Sequence, residues 1–164
     1  MIKKFGTVCA LITFSLAACA GDKTLQGVFE AQMKDNGSDG WNIIHVQENE
    51  TDGFVLHTAW TDQHPDNRNE PGVNYFQKQG KEWQSAMGTS CSNSGVSRFG
   101  LLGNGNLYCS VLRPDMDFEK ITAGGQAAQV FTFNGTMKVW VAVTSEANAK
   151  VVGITKDGRE IALN

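Results

Sequence analysis

The chain is predicted to be mainly β, an antiparallel β-sandwich or small barrel with at most one short helix. Three observations predict this. About ten short segments with strand-like alternation follow one another closely along the chain. Eighteen glycines against three prolines fit a strand-and-turn protein better than a helical bundle. Asn134-Gly135 and Asp157-Gly158 sit between apolar alternating segments, where such dipeptides favour hairpin turns. The length of 164 residues suits one domain. With 41% apolar and 19% charged residues, the chain is not held open by charge repulsion. A formal charge of −3 supplies no basic field for nucleic acid.

Lys3 and Lys4 precede an apolar run from Phe5 to Ala18 that is short of the ~20 residues needed to span a bilayer. The run ends in Leu16-Ala17-Ala18-Cys19. This order of basic, apolar and small-small-Cys segments resembles the bacterial lipoprotein signal, with Leu16–Cys19 as its lipobox. The resemblance implies removal of residues 1–18 and acylation of Cys19. Residues 19–23 then form a lipidated cysteine and short tether, ahead of a single β-rich domain over 24–164. Ala20 rather than aspartate after the cysteine is similar to lipoproteins sorted to the outer membrane of Gram-negative cells, facing the periplasm or the outside. The bilayer is thus one expected partner, held through acyl chains worth roughly 0.8 kcal/mol per buried CH₂. Cleavage leaves 146 residues with 12 basic and 17 acidic side chains, a formal charge of −5. Cys91 and Cys109 remain as an even pair. In an oxidising compartment they predict a disulfide, since 18 residues of separation is neither a redox C-x-x-C nor a zinc spacing.

Residues 24–34 are ambiguous. Leu25, Val28, Phe29 and Met33 fit one helical face, while Leu25, Phe29, Ala31 and Met33 fit strand alternation and Gly27 weakens a helix. Asp35–Gly40 reads as a turn. Trp41–Val46 and Phe54–Trp60 read as a hairpin turning near Asn49–Gly53. Asp62–Pro71 is a polar loop with two prolines. Val73–Gln77 and Glu82–Met87 form a second hairpin around Gln79-Gly80. Gly88–Asn106 is rich in Gly, Ser and Asn and holds the apolar island Phe99–Leu102. Leu107–Leu112 reads as a core strand with Leu107, Cys109 and Val111 on one face. Pro114–Gly125 is expected to be a helical turn or irregular crossing. Ala128–Phe133, Met137–Thr144, Lys150–Thr155 and Arg159–Ala162 complete the strands. Met137, Val139, Val141 and Val143 should face one way, and Trp140 and Ala142 the other. An immunoglobulin-like topology is one candidate, although the two cysteines are closer than that fold's inter-sheet pair.

The richest polar cluster is the 62–71 loop. Asp62, His64, Asp66, Arg68 and Glu70 are its candidate recognition residues, because loops on a rigid scaffold commonly carry binding. The cluster does not follow the calcium-loop spacing, which from Asp62 would need Gly at 67 and Glu at 73 where Asn67 and Val73 stand. His45 and His57 lie in neighbouring strands and could be cross-strand neighbours, but no metal-ligand pattern accompanies them. No Ser occupies a G-x-S-x-G elbow, and Gly100–Gly105 lacks phosphate-binding order. Trp41, Trp60, Trp83 and Trp140 each sit in a strand beside apolar partners, more as core than as a binding surface.

No cofactor, metal or catalytic residue is assigned. The sequence therefore points to an anchored envelope lipoprotein acting as a non-enzymatic binding or accessory module. Its partner would be another envelope or extracellular protein or polymer. The alternative is a small hydrolase or ligand-binding protein using a pocket of His45, His57 or His64 beside a carboxylate.

Overall fold

The computed structural model describes residues 24–91, 95–101, 105–113 and 115–163. The export signal, Cys19 and the tether lie outside them. The described chain stacks as four layers, one helix followed by three antiparallel sheets.

The ambiguous N-terminal segment is a helix, α1 (Leu25–Asp35). Thr24 caps it, its side chain accepting from the Gly27 N–H at 3.2 Å. Leu25, Phe29 and Met33 form its buried stripe, so the four-residue spacing prevails over alternation. The helix starts against the first hairpin: the Leu25 N–H donates to Glu48 Oε1 at 3.1 Å. A Cβ on Gly53 would stand 2.7 Å from Leu25 Cδ2 and 2.4 Å from the Gln47 carbonyl, so only glycine admits the helix here.

The first sheet is a meander of β1 (Gly40–Glu48), β2 (Asp52–Trp60), β3 (Pro71–Gln79) and β4 (Glu82–Ser90), paired in chain order. Period-2 alternation divides its side chains between two cores. Val55, Phe76 and Trp83 meet the helix. Phe54, Leu56, Val73 and Tyr75 face the second sheet.

That second sheet has the order β5 (Ser97–Gly100), β6 (Asn106–Leu112), β10 (Met137–Thr144), β9 (Gln129–Phe133). Leu107, Cys109, Val139 and Val141 face the first sheet. Tyr108, Trp140 and Ala142 face the third, as alternation predicts. Val143, on the same side as Val141, is exposed at the strand's end.

The third sheet comprises β12 (Glu160–Ala162), β11 (Val151–Thr155), β7 (Phe118–Ala123) and β8 (Gln126–Ala127). Strand β7 corrects the expectation of an irregular crossing over Pro114–Gly125. The consecutive charges Glu119 and Lys120 mask an alternation in which Ile121 and Ala123 point inward. The Tyr108 hydroxyl accepts the Ala149 N–H at 3.1 Å and ties the second sheet to the third.

The architecture is a β-sandwich extended by a third sheet. The sheets do not close into a barrel, and the first runs in plain meander order instead of the Greek key of an immunoglobulin domain. Cys91 and Cys109 are joined, with Cα atoms 5.2 Å apart. Cys91 follows β4 and Cys109 lies in β6, so the bond links the first sheet to the second.

Candidate functional site

The strands give the molecule two ends. At one end the chain enters α1 beside the β1–β2 turn. At the other, the β2–β3 connection, the β9–β10 turn and the β6–β7 segment come together. The Asn134 carboxamide fixes this convergence, donating through Nδ2 to Asn69 Oδ1 at 2.8 Å and to the Arg68 carbonyl at 3.3 Å. Asn134 has φ +46° and Gly135 φ +82°, the left-handed turn that Asn-Gly predicts. Nine-residue strands separate the two ends by roughly 30 Å.

The five candidate loop residues all lie at this far end with exposed side chains. The loop is built, not slack. The His64 N–H donates to the Thr61 carbonyl at 3.0 Å and hydroxyl at 3.2 Å. A 3-10 turn over Pro65–Asn69 follows, with Pro65 and Asp66 in its first turn. The Asp62 N–H donates to the Asp39 carboxylate. The Arg68 guanidinium lies 4.7 Å from the Trp60 ring centre, a cation–π contact that holds the loop against β2. Arg68 therefore positions the loop, while Asp62, His64, Asp66 and Glu70 present it to solvent.

Beside the loop lie two adjoining clefts. One, of about 370 Å³, runs from Asn69 and Glu70 past Cys91 to Val111 and Met137. The next, of about 710 Å³, shares Val111 and Met137 and continues over Leu112 and Met116 to Lys138 and Asp117. The larger cleft has a mainly apolar floor with two methionines, Met116 and Met137, whose flexible thioethers adapt to varied contacts, while the smaller one is lined by polar and apolar groups alike. The rim is charged. Arg113 pairs with Asp115 at 3.4 Å, and Lys156 pairs with Asp117. The Lys156 hydrogen bond holds the Asp117 carboxyl below the usual carboxylate range. These floor residues escaped the sequence reading. Alternation correctly turns Val111 and Met137 inward, but the covering sheet runs out at the strand ends. The signal available was their position beside the turn residues Pro114 and Asn134-Gly135.

The three histidines stand apart. His45 stacks on Phe131 at 4.5 Å, on the side facing the second sheet. His57 is buried beneath Phe29, with ring centres 4.7 Å apart, on the side facing α1. The bulge between Ile43 and His45 sets His57 opposite Ile43 and His45 opposite Leu56, so the two rings are not cross-strand neighbours. His64 is in the exposed loop. No group of three potential metal ligands occurs among the described residues.

His57 Nε2 lies 3.0 Å from Asn74 Oδ1. Gly72 and Gly88 make the room, since a Cβ would stand 3.3 Å from the imidazole at the first and 2.9 Å from Asn74 Oδ1 at the second. Nδ1 approaches the Thr58 backbone without a well-formed hydrogen bond. Burial lowers the His57 pKa below its ordinary 6.5, against the opposing bond to Asn74. The unfolded chain then takes up a proton that the folded chain refuses, so stability falls as pH drops below 6.5. Urea midpoints between pH 7.5 and 5 should decline, and His57→Gln should flatten that decline. An equal decline in the variant would remove His57 as its source.

Comparison of the chain with family models, with curated proteins and with solved structures finds no match.

Proposed function

We propose that this protein is an anchored envelope lipoprotein whose β-domain is a non-enzymatic binding module, with its far end as the contact surface. The polarity of the domain carries this reading. The chain enters α1 at the end marked by Glu48 and Gly53. The pinned loop and the two clefts lie at the opposite end. A lipid on Cys19, joined by a tether of a few residues, would hold the first end at the bilayer and present the second to a partner. The apolar floor of the larger cleft, with its charged rim, suits a protein surface, whose contact core is apolar and whose margin is polar. The alternative, a hydrolase with a histidine beside a carboxylate, gains no support from His45, which stacks on Phe131, or from His57, whose Nε2 meets the Asn74 carboxamide.

Two measurements test this. Cys19→Ser should move the protein from the membrane fraction to the soluble fraction. A photo-crosslinking residue at Asp66 or Lys138 should capture a discrete envelope partner several-fold more than one at Lys81, and Val111→Asp should reduce that capture. Equal adducts from all three positions, or none above an inert domain on the same anchor, would refute the contact surface.

A further inference from the structure

Among the described residues six strands form the margins of the three sheets, and five of them are blunted. β1 and β9 close on each other: His45 stacks on Phe131, and Gln129 donates to Gln47 at 2.8 Å. β5 has four residues, with Arg98 held by Asn148 at 2.7 Å. β12 has three residues and β8 two. β4 differs. It runs for nine residues and, among the described residues, pairs with β3 alone. No charged residue occurs from Trp83 to Ser97. Edge strands of this length normally carry lysine, proline or a covering element, because their free N–H and C=O groups template further pairing. The one irregularity of β4 is the bulge at Ala86, and regular pairing resumes on both sides of it. Met87, 36% exposed, stands with Phe99 and Leu101 at the seam where the first and second sheets part.

We propose that β4 is a strand-addition site for an extended, uncharged segment of a partner polypeptide. The backbone of that segment would continue the first sheet. Its alternate side chains would be apolar and would cover the Met87–Phe99–Leu101 seam. The chemistry of the occupant follows from the edge. With no charge on β4 beyond Glu82 at its first position, a charged side chain set against Trp83–Ser90 would lose hydration without compensation. A second copy of this chain fits less well. Antiparallel β4–β4 pairing turns the copy end for end and sends the two N-terminal ends to opposite poles. Two copies anchored in one membrane cannot meet that way, a step that rests on the anchored reading above.

The test uses the isotopically labelled full chain in detergent micelles and a synthetic peptide, Lys-(Thr-Val)₄-Lys, blocked at both ends. Amide exchange within Glu82–Ser90 should slow at least tenfold on adding peptide, while that of β12 stays unchanged. Met87→Lys should weaken peptide binding at least tenfold with its Tm close to that of the parent, and Val143→Lys, on another strand, should bind as the parent does. Protection elsewhere than β4, no protection at millimolar peptide, or parent-like binding by Met87→Lys would overturn the proposal. Concentration-dependent protection of β4 without peptide would put a second copy in the partner's place and overturn the assigned occupant. A Cys19→Ser chain that stays in the membrane would refute the anchor and leave the β4 result standing.

Discussion

Trp140→Ala is expected to cost about 3–5 kcal/mol, the range for removing a large buried aromatic. Trp140 is 1% exposed and lies with Tyr108, Ile121 and Val151 where the second sheet meets the third. The neighbouring residues are on two different sheets, each held by its own ladder, so collapse around the cavity is restricted. Small domains have total stabilities of about 5–15 kcal/mol, so the loss would be a large fraction of the whole. Trp140→Phe should retain much of the packing. Equilibrium urea denaturation followed by far-UV circular dichroism measures both. A cost below about 1 kcal/mol for Trp140→Ala would mean that the third sheet does not depend on this contact.

Removing the disulfide through paired Cys91→Ala and Cys109→Ala substitutions is expected to cost about 3 kcal/mol in the chain-entropy account of an 18-residue separation. The two bonded sulfurs are buried in the core shared by the first and second sheets, so the packing of Phe54, Leu56, Leu107 and Val141 remains in the variant. The effect should therefore appear as a lower urea midpoint with little change in the folded spectrum. Because Cys91 lines the cleft beside Glu70 and Val111, partner capture at Asp66 should also fall. An unchanged midpoint would show that the packed sheets constrain the unfolded chain as much as the bond does.

Much of the fold was legible because period-2 alternation is strong where both sides of a strand are covered. Met137–Thr144 is the clearest case: its bounds and its two faces match the observed β10. The hairpin turns were legible from Asn-Gly and Asp-Gly. α1 was not, because Leu25, Phe29 and Met33 satisfy both periods. What decides is the first sheet, whose second face needs a cover, and that is a tertiary fact. β7 was hidden by Glu119 and Lys120, although its sheet-mates β11 and β12 were legible as Lys150–Thr155 and Arg159–Ala162. At the site, the 62–71 loop stood out through its polar residues, yet the role of Arg68 depended on Trp60, which the sequence offers equally to the core. The cleft floor was illegible in principle, since Val111 and Met137 look like any inward-facing strand residues until the end of the covering sheet is known.

The order of layers also sets how this chain would respond to tension between its N-terminal end and its far end. α1 is the first element along the path of force, and it is held to the first sheet by three apolar side chains. Peeling it turns an 11-residue helix of about 16 Å into a strand of up to about 40 Å. The next stretch is a meander whose last strand ends at Ser90, and at the following Cys91 the covalent bond hands the load directly to Cys109 and spares residues 92–108. The helix thus acts as a shock absorber in series with a welded sandwich, yielding slack of roughly 20 Å before any sheet is loaded to breaking.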